Sequence, residues 1–173
     1  LPGITTLSDY SLRYVPHLKN LDAPDLETMC NNCFFYADRL THINMPSLKT
    51  IGDWCFYYAN YLTHFDIQSL ERMGKRCFRF VQNLAHVDMP SVKSMGDNCF
   101  FYVDRLTHVD LPLLKSMDRR CFYHTDSLKH LDTSSLTTIG EKCFTFASDH
   151  IKSKISLPAR LWRRLKLSTK FRE

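Results

Sequence analysis

Glycine is scarce. The 173 residues include only five, too few for a β-sandwich built on many tight glycine turns. No apolar run approaches the roughly 18 residues that mark a membrane-spanning helix. The chain opens Leu1-Pro2-Gly3, with neither an initiator methionine nor a signal-peptide pattern, so it is expected to be a piece of something longer. An apolar fraction of 44% nevertheless suffices for a core.

An even basic charge is also lacking. The net +5 hides a split, because residues 152–173 hold eight basic side chains against Glu173 alone. The other 151 residues carry 15 basic and 17 acidic groups, which makes a slightly acidic body with a basic end. Such a body, without a recognised binding motif, argues against nucleic acid as the partner. Seven cysteines suggest a disulfide or metal framework, but only Cys30 and Cys33 stand at the C-x2-C spacing of a zinc site, and no second pair accompanies them.

What the sequence has instead is a period. Cys33, Cys55, Cys77, Cys99, Cys121 and Cys143 lie 22 residues apart, each followed by phenylalanine. The same step links Leu18, Leu40, Leu62, Leu84, Leu106 and Leu128. Self-similarity at this length signals a solenoid. Six full repeats occupy 18–149; residues 1–17 fit the latter part of a preceding repeat, and residues 150–173 read as an irregular last coil followed by a basic capping helix. In that helix Leu161, Trp162 and Leu165 share a face.

One repeat, residues 40–61, predicts the rest. Leu40, Ile43 and Met45 spell L-x-x-L-x-L, a leucine-rich-repeat strand, with His42 and Asn44 on its opposite side. Pro46 ends the pairing. Gly52-Asp53 is expected to open a short helical turn capped by Asp53. The inward set is Leu40, Ile43, Met45, Leu48, Ile51, Cys55, Phe56 and Ala59. A single coil cannot offset the roughly 20–40 kcal/mol of backbone ordering, so stability must come from stacking. The expected fold is a right-handed α/β leucine-rich repeat solenoid, with a parallel sheet on the concave face and short helices or turns on the convex face.

The segment L-T-H-V-D-L-P-x-L-K-S-M-D-x-x-C-F at 106–122 resembles the BspA-like, Treponema pallidum-type leucine-rich repeats of bacteria and some protists. The family usually has Ala-Phe where this chain has Cys-Phe, and its repeat is more often one residue longer. The resemblance covers residues 18–149. It implies recognition of a protein partner at a cell surface or in a host, as an adhesin or virulence factor. Bacterial secreted effectors with leucine-rich repeats are similar in logic.

The cysteine ladder reads as small buried apolar residues. Six free thiols favour a reducing compartment, the bacterial cytoplasm or the host cytosol after secretion. The candidate partner surface is the outward column His42, His64, His86, His108 and His130, beside Asn44, Asp66, Asp88, Asp110 and Asp132. Three readings compete for it: a solvated sheet face, a docking surface for a partner with basic or polar groups, and metal held between neighbouring histidines. No catalytic residue stands out, because cysteine and histidine fall on opposite sides of the core. An enzyme is not expected, nor a cofactor. The alternatives to a binding module are a structural spacer or self-assembling unit, or the accessory part of an enzyme whose catalytic domain lies elsewhere. Columns of alternating charge (Asp53, Lys75, Asp97, Arg119, Glu141 and Glu27, Lys49, Glu71, Lys93) read as structural, and the aromatics Phe35, Tyr57, Phe101 and Tyr123 as a second contact surface or as packing between rings.

Overall fold

The computed structural model describes residues 1–147 and Ile151. The expected last coil and capping helix, apart from Ile151, lie outside the described residues. Strands of two kinds alternate along the chain. The short ones are β1 (Thr6–Leu7), β3 (Thr28–Met29), β5 (Thr50–Ile51), β7 (Arg72–Met73), β9 (Ser94–Met95), β11 (Ser116–Met117) and β13 (Thr138–Ile139). The longer ones are β2 (Asn20–Asp22), β4 (His42–Asn44), β6 (His64–Asp66), β8 (His86–Asp88), β10 (His108–Asp110) and β12 (His130–Asp132). All pairs are parallel and in register at one repeat, as Ile43 opposite Phe65 illustrates. The short strands form one seven-stranded sheet.

The eight residues assigned inward from the sequence are all buried, from Ile43 at 3% exposed to Leu40 and Phe56 at 0%. Five consecutive phenylalanines, Phe34 to Phe122, stack at 5.2–5.4 Å between ring centroids through the middle of the molecule. Each coil thereby buries both of its flat faces, which is how the ordering cost is met.

The expected helical turn is not there. Residues 53–58 form an extended arc whose Trp54 and Tyr58 have φ of 64° and 59°, values no α-helix allows. The left-handed conformation costs an L-residue about 1–2 kcal/mol. It is retained because alternate amides then point to the next coil: Asn32 N–H donates to the Asp53 carbonyl at 2.8 Å, Phe34 to Cys55 and Tyr36 to Tyr57, both at 2.9 Å. A helix about 10 Å across would wedge this side open, whereas strands stack at about 4.8 Å. The arc keeps all sides of the coil at similar spacing. Of the two convex-side possibilities read from the sequence, turns are what form among the described residues.

Asp53 caps nothing in its own coil. Its Oδ1 accepts the Lys75 amide at 2.7 Å, as Asp9 accepts that of Asn31 and Asn31 that of Asp53. Three ion pairs form along the charge columns: Glu27 with Lys49 at 3.1 Å, Glu71 with Lys93 at 3.0 Å and Asp97 with Arg119 at 3.1 Å. The first two pairs are exposed and contribute little stability, while Asp97 of the third is half-buried.

Gly52, Gly74 and Gly96 lie in close approach to the preceding coil, in a column where Cys30 and Asp118 also stand. A Cβ on Gly74 would sit 2.6 Å from the Gly52 carbonyl carbon and 2.8 Å from the Asp53 amide nitrogen. Gly74→Ala should therefore cost about 1–3 kcal/mol in urea unfolding, although it removes no contact. An unchanged midpoint would show that the coils can separate freely there.

Candidate functional site

Cysteine chemistry can be set aside first. All seven thiols are free and the six of the ladder are buried. The Cys55 Sγ–H donates to the Cys30 carbonyl at 2.9 Å, and Cys77 and Cys99 do the same to Gly52 and Gly74 at 3.1 and 3.0 Å. Each thiol thus ties its own coil to the one before. Burial pushes the thiols of Cys55, Cys77 and Cys121 well above the ordinary range, while hydrogen bonds from neighbouring thiols lower Cys33 and, against burial, Cys99; what withholds all six from a reagent is their burial inside the stack. Iodoacetamide should modify Cys30, which is half-buried, first. The other six should react only on unfolding, as peptide mass spectrometry would reveal. Rapid native labelling of Cys77 would contradict this packing.

The histidine column stands where the sequence put it, exposed along the long strands. His42 and His64 stack at 4.7 Å with planes 1° apart; His86 and His108 stack at 5.0 Å, and His108 and His130 at 5.9 Å. The second column lies two residues on, with Asn44 donating to Asp22 at 2.7 Å and in register with Asp66, and with Asp88, Asp110 and Asp132 in register with one another. Among the described residues no group of three or more His, Cys, Asp or Glu side chains is arranged to hold a metal ion.

Threonine sets the state of the imidazoles, a role the sequence reading missed. The Thr41 hydroxyl donates to the Lys19 carbonyl at 3.0 Å, and Thr63 and Thr107 donate likewise to residues 41 and 85. Each hydroxyl also lies 2.9 Å from Nδ1 of the following histidine. A hydroxyl has one proton to give. With it committed to a carbonyl, the oxygen accepts, so Nδ1 of His42, His64 and His108 carries the hydrogen. Nε2 of these exposed residues is then the acceptor. His130 differs: it follows Lys129, and its Nε2 meets Asp110 Oδ1 at 2.8 Å, which requires an Nε2–H. The signal was present as Thr-His pairs at the same 22-residue step. Nitrogen chemical shifts should report the Nδ1–H tautomer for neutral His42, His64 and His108, and Thr63→Val should release His64 to a mixture. An Nε2–H majority at His42 would refute the assignment.

The long strands do not make one sheet. They pair as β2-β4-β6 and β8-β10-β12, with no pairing between β6 and β8. Elsewhere amide 41 bonds carbonyl 19, 63 bonds 41, 107 bonds 85 and 129 bonds 107; residues 85 and 63 make no such bond. Two substitutions coincide there. Phe65 occupies a slot that Ile43 and Val87 fill in the adjoining coils, and its ring rests half-buried on Phe78 at 5.5 Å. Ala85 stands in the threonine column, without a hydroxyl to span the gap. An open depression of about 750 Å³ runs over this face, lined by Ile43 and Phe65 and by His42, His64, His86, Asn44, Asp66 and Asp88.

A stack of parallel coils with L-x-x-L-x-L strands and one sheet face lined by repeated polar columns is a leucine-rich repeat solenoid. The model of the BspA type leucine rich repeat region matches residues 5–125 and 75–161, in six copies, and the chain belongs to that family. The solved leucine-rich repeat protein of Eubacterium ventriosum is similar over 90% of this chain and 42% of its own, with a TM-score of 0.78 at 19% identity. The leucine-rich repeat protein of T. pallidum is similar over 91% and 87%, at 0.61 and 17%. A leucine-rich cell surface protein of Faecalibacterium prausnitzii is similar over 82% and 47%, at 0.57 and 20%. The chain thus spans less than half the length of the first and third. These likenesses concern the fold. No curated protein matches the sequence. Repeats of this type are generally modules of protein interaction and typically not catalytic, and among the described residues no helix is long and apolar enough to cross a membrane.

Proposed function

We propose that this chain is the protein-binding part of a larger bacterial secreted or surface protein, and that its partner lies along the long-strand face. The observation that carries this reading is the pair of exposed histidine and carboxylate rows that line the depression. The Nε2 acceptors of His42, His64 and His108 stand beside the carboxylates of Asp66 and Asp88, so the surface around the depression is predominantly an acceptor. Acceptors in fixed rows about 4.8 Å apart suit a partner segment rich in lysine, arginine or backbone donors. Charge complementarity of this kind favours encounter and register. His86, Asp88, Asn44, Asp110, His130 and Asp132 extend the rows on either side of the unpaired strands.

The free, buried thiols support a reducing working environment, the bacterial cytoplasm or the host cytosol after secretion. A role in virulence follows the same reading.

Peptides selected from a displayed library on the folded protein should be enriched in lysine and arginine. Replacing His64, His86 and Asp88 together by alanine should weaken the best of them by about tenfold or more, while thermal unfolding stays nearly unchanged because all three side chains are exposed. Undiminished binding would remove the long-strand face as the ligand surface.

A further inference from the structure

The arc side carries a set of contacts that the repeat does not demand. Arg76 lies with its guanidinium carbon 4.3 Å from the Trp54 ring, and Trp54 adjoins Tyr57 at 4.9 Å. Arg79 sits between Phe80 at 4.7 Å and Phe101 at 4.4 Å, with Tyr57 at 5.9 Å. Phe101 stacks on Tyr123 at 4.9 Å, and Arg120 reaches that ring at 6.0 Å. Arg76, Arg79 and Arg120 are therefore mounted on one continuous aromatic plate, whose far end at Phe35 carries Arg13 at 4.9 Å.

Their charges are unanswered. Arg119 has Asp97, but among the described residues no carboxylate forms an ion pair with Arg76, Arg79 or Arg120. Asp53 accepts the Lys75 amide, and Asp97 holds Arg119. The buried Nε atoms of Arg76 and Arg79 make no hydrogen bond. Burial holds Arg79 below the usual guanidinium range, and the like charges of Arg76 and Arg120 act in the same direction. Cations kept close together without a counter-charge are costly unless a ligand completes them. Stacking engages the flat face of a guanidinium and leaves N–H donors in its plane, the fork that fits a tetrahedral oxyanion.

We propose that Arg76, Arg79 and Arg120 form an oxyanion site for phosphate-type or sulfate-type groups. It lies on a different side of the coil from the histidine face and takes a ligand of opposite charge, so the two surfaces stand or fall independently.

Trp54 touches the site and serves as its reporter; the other tryptophan, Trp162, lies in the basic tail. In the full-length Trp162→Phe chain, Trp54 fluorescence should change saturably with inorganic tripolyphosphate or sulfate, and not with potassium chloride at equal ionic strength. The two anions separate a site for linked oxyanions from one for a single group; saturable binding of either supports the proposal. Arg79→Gln should weaken tripolyphosphate binding by about tenfold, the loss of one charge-assisted contact. Arg120→Gln, at an exposed position, should weaken it without perturbing the fold. Neutralising the tail with Arg163→Gln and Arg164→Gln should leave it unchanged. No saturable response to either anion, or a response lost with the tail variant and kept by the arginine variants, would overturn the site.

Discussion

Everything in this molecule depends on one spacing. Successive coils must lie flat on one another at the distance set by parallel backbone pairing, on every side of the coil at once. A helix on any side would break that equality. The backbone instead accepts left-handed conformations at residues such as Trp54, Arg76 and Tyr102, where an aromatic or long side chain would not choose them alone. The compensation is a third ladder of hydrogen bonds from coil to coil. Glycine at 52, 74 and 96 and cysteine at 55, 77 and 99 serve the same end, the first by absence of a side chain and the second by a small thiol that bonds a carbonyl of the preceding coil.

Because the coils are in register, every side chain meets its own equivalents above and below. Like therefore stacks on like, which is favourable for phenylalanine rings, tolerable for imidazoles and unfavourable for charges. The sequence answers the last case by alternating sign, as Glu27, Lys49, Glu71 and Lys93 do. The aromatic plate answers it differently, by placing Arg79 between Tyr57 and Phe101, one coil from each. Functional surfaces of a solenoid are thus columns, not points, and their chemistry is multiplied by the repeat.

Departures from the repeat are where individuality enters. Phe65 overfills a slot sized for isoleucine or valine, and the long-strand ladder opens beside it while the short-strand sheet and the arc continue unbroken. The opening falls within the face whose imidazoles have the most constrained hydrogen bonding. A regular stack thus gains one local irregularity without losing the cohesion of its other two sides.

The 22-residue recurrence by itself determined the class of fold, the inward set from Leu40 to Ala59, and the outward placement of the histidine and aspartate columns, because period and strand alternation are properties of the chain alone. The family was legible in the same residues. The arc in place of a helix was not, since Gly-Asp followed by apolar residues suits either, and only the neighbouring coil decides which amides find partners. The tautomers of His42, His64 and His108 depend on where the threonine protons go, and that is fixed by carbonyls 22 residues away. The unpaired β6 and β8 and the unanswered arginines arise likewise from contacts between coils. Periodicity in one dimension specifies which residues will be neighbours; only packing in three decides what those neighbours do to one another.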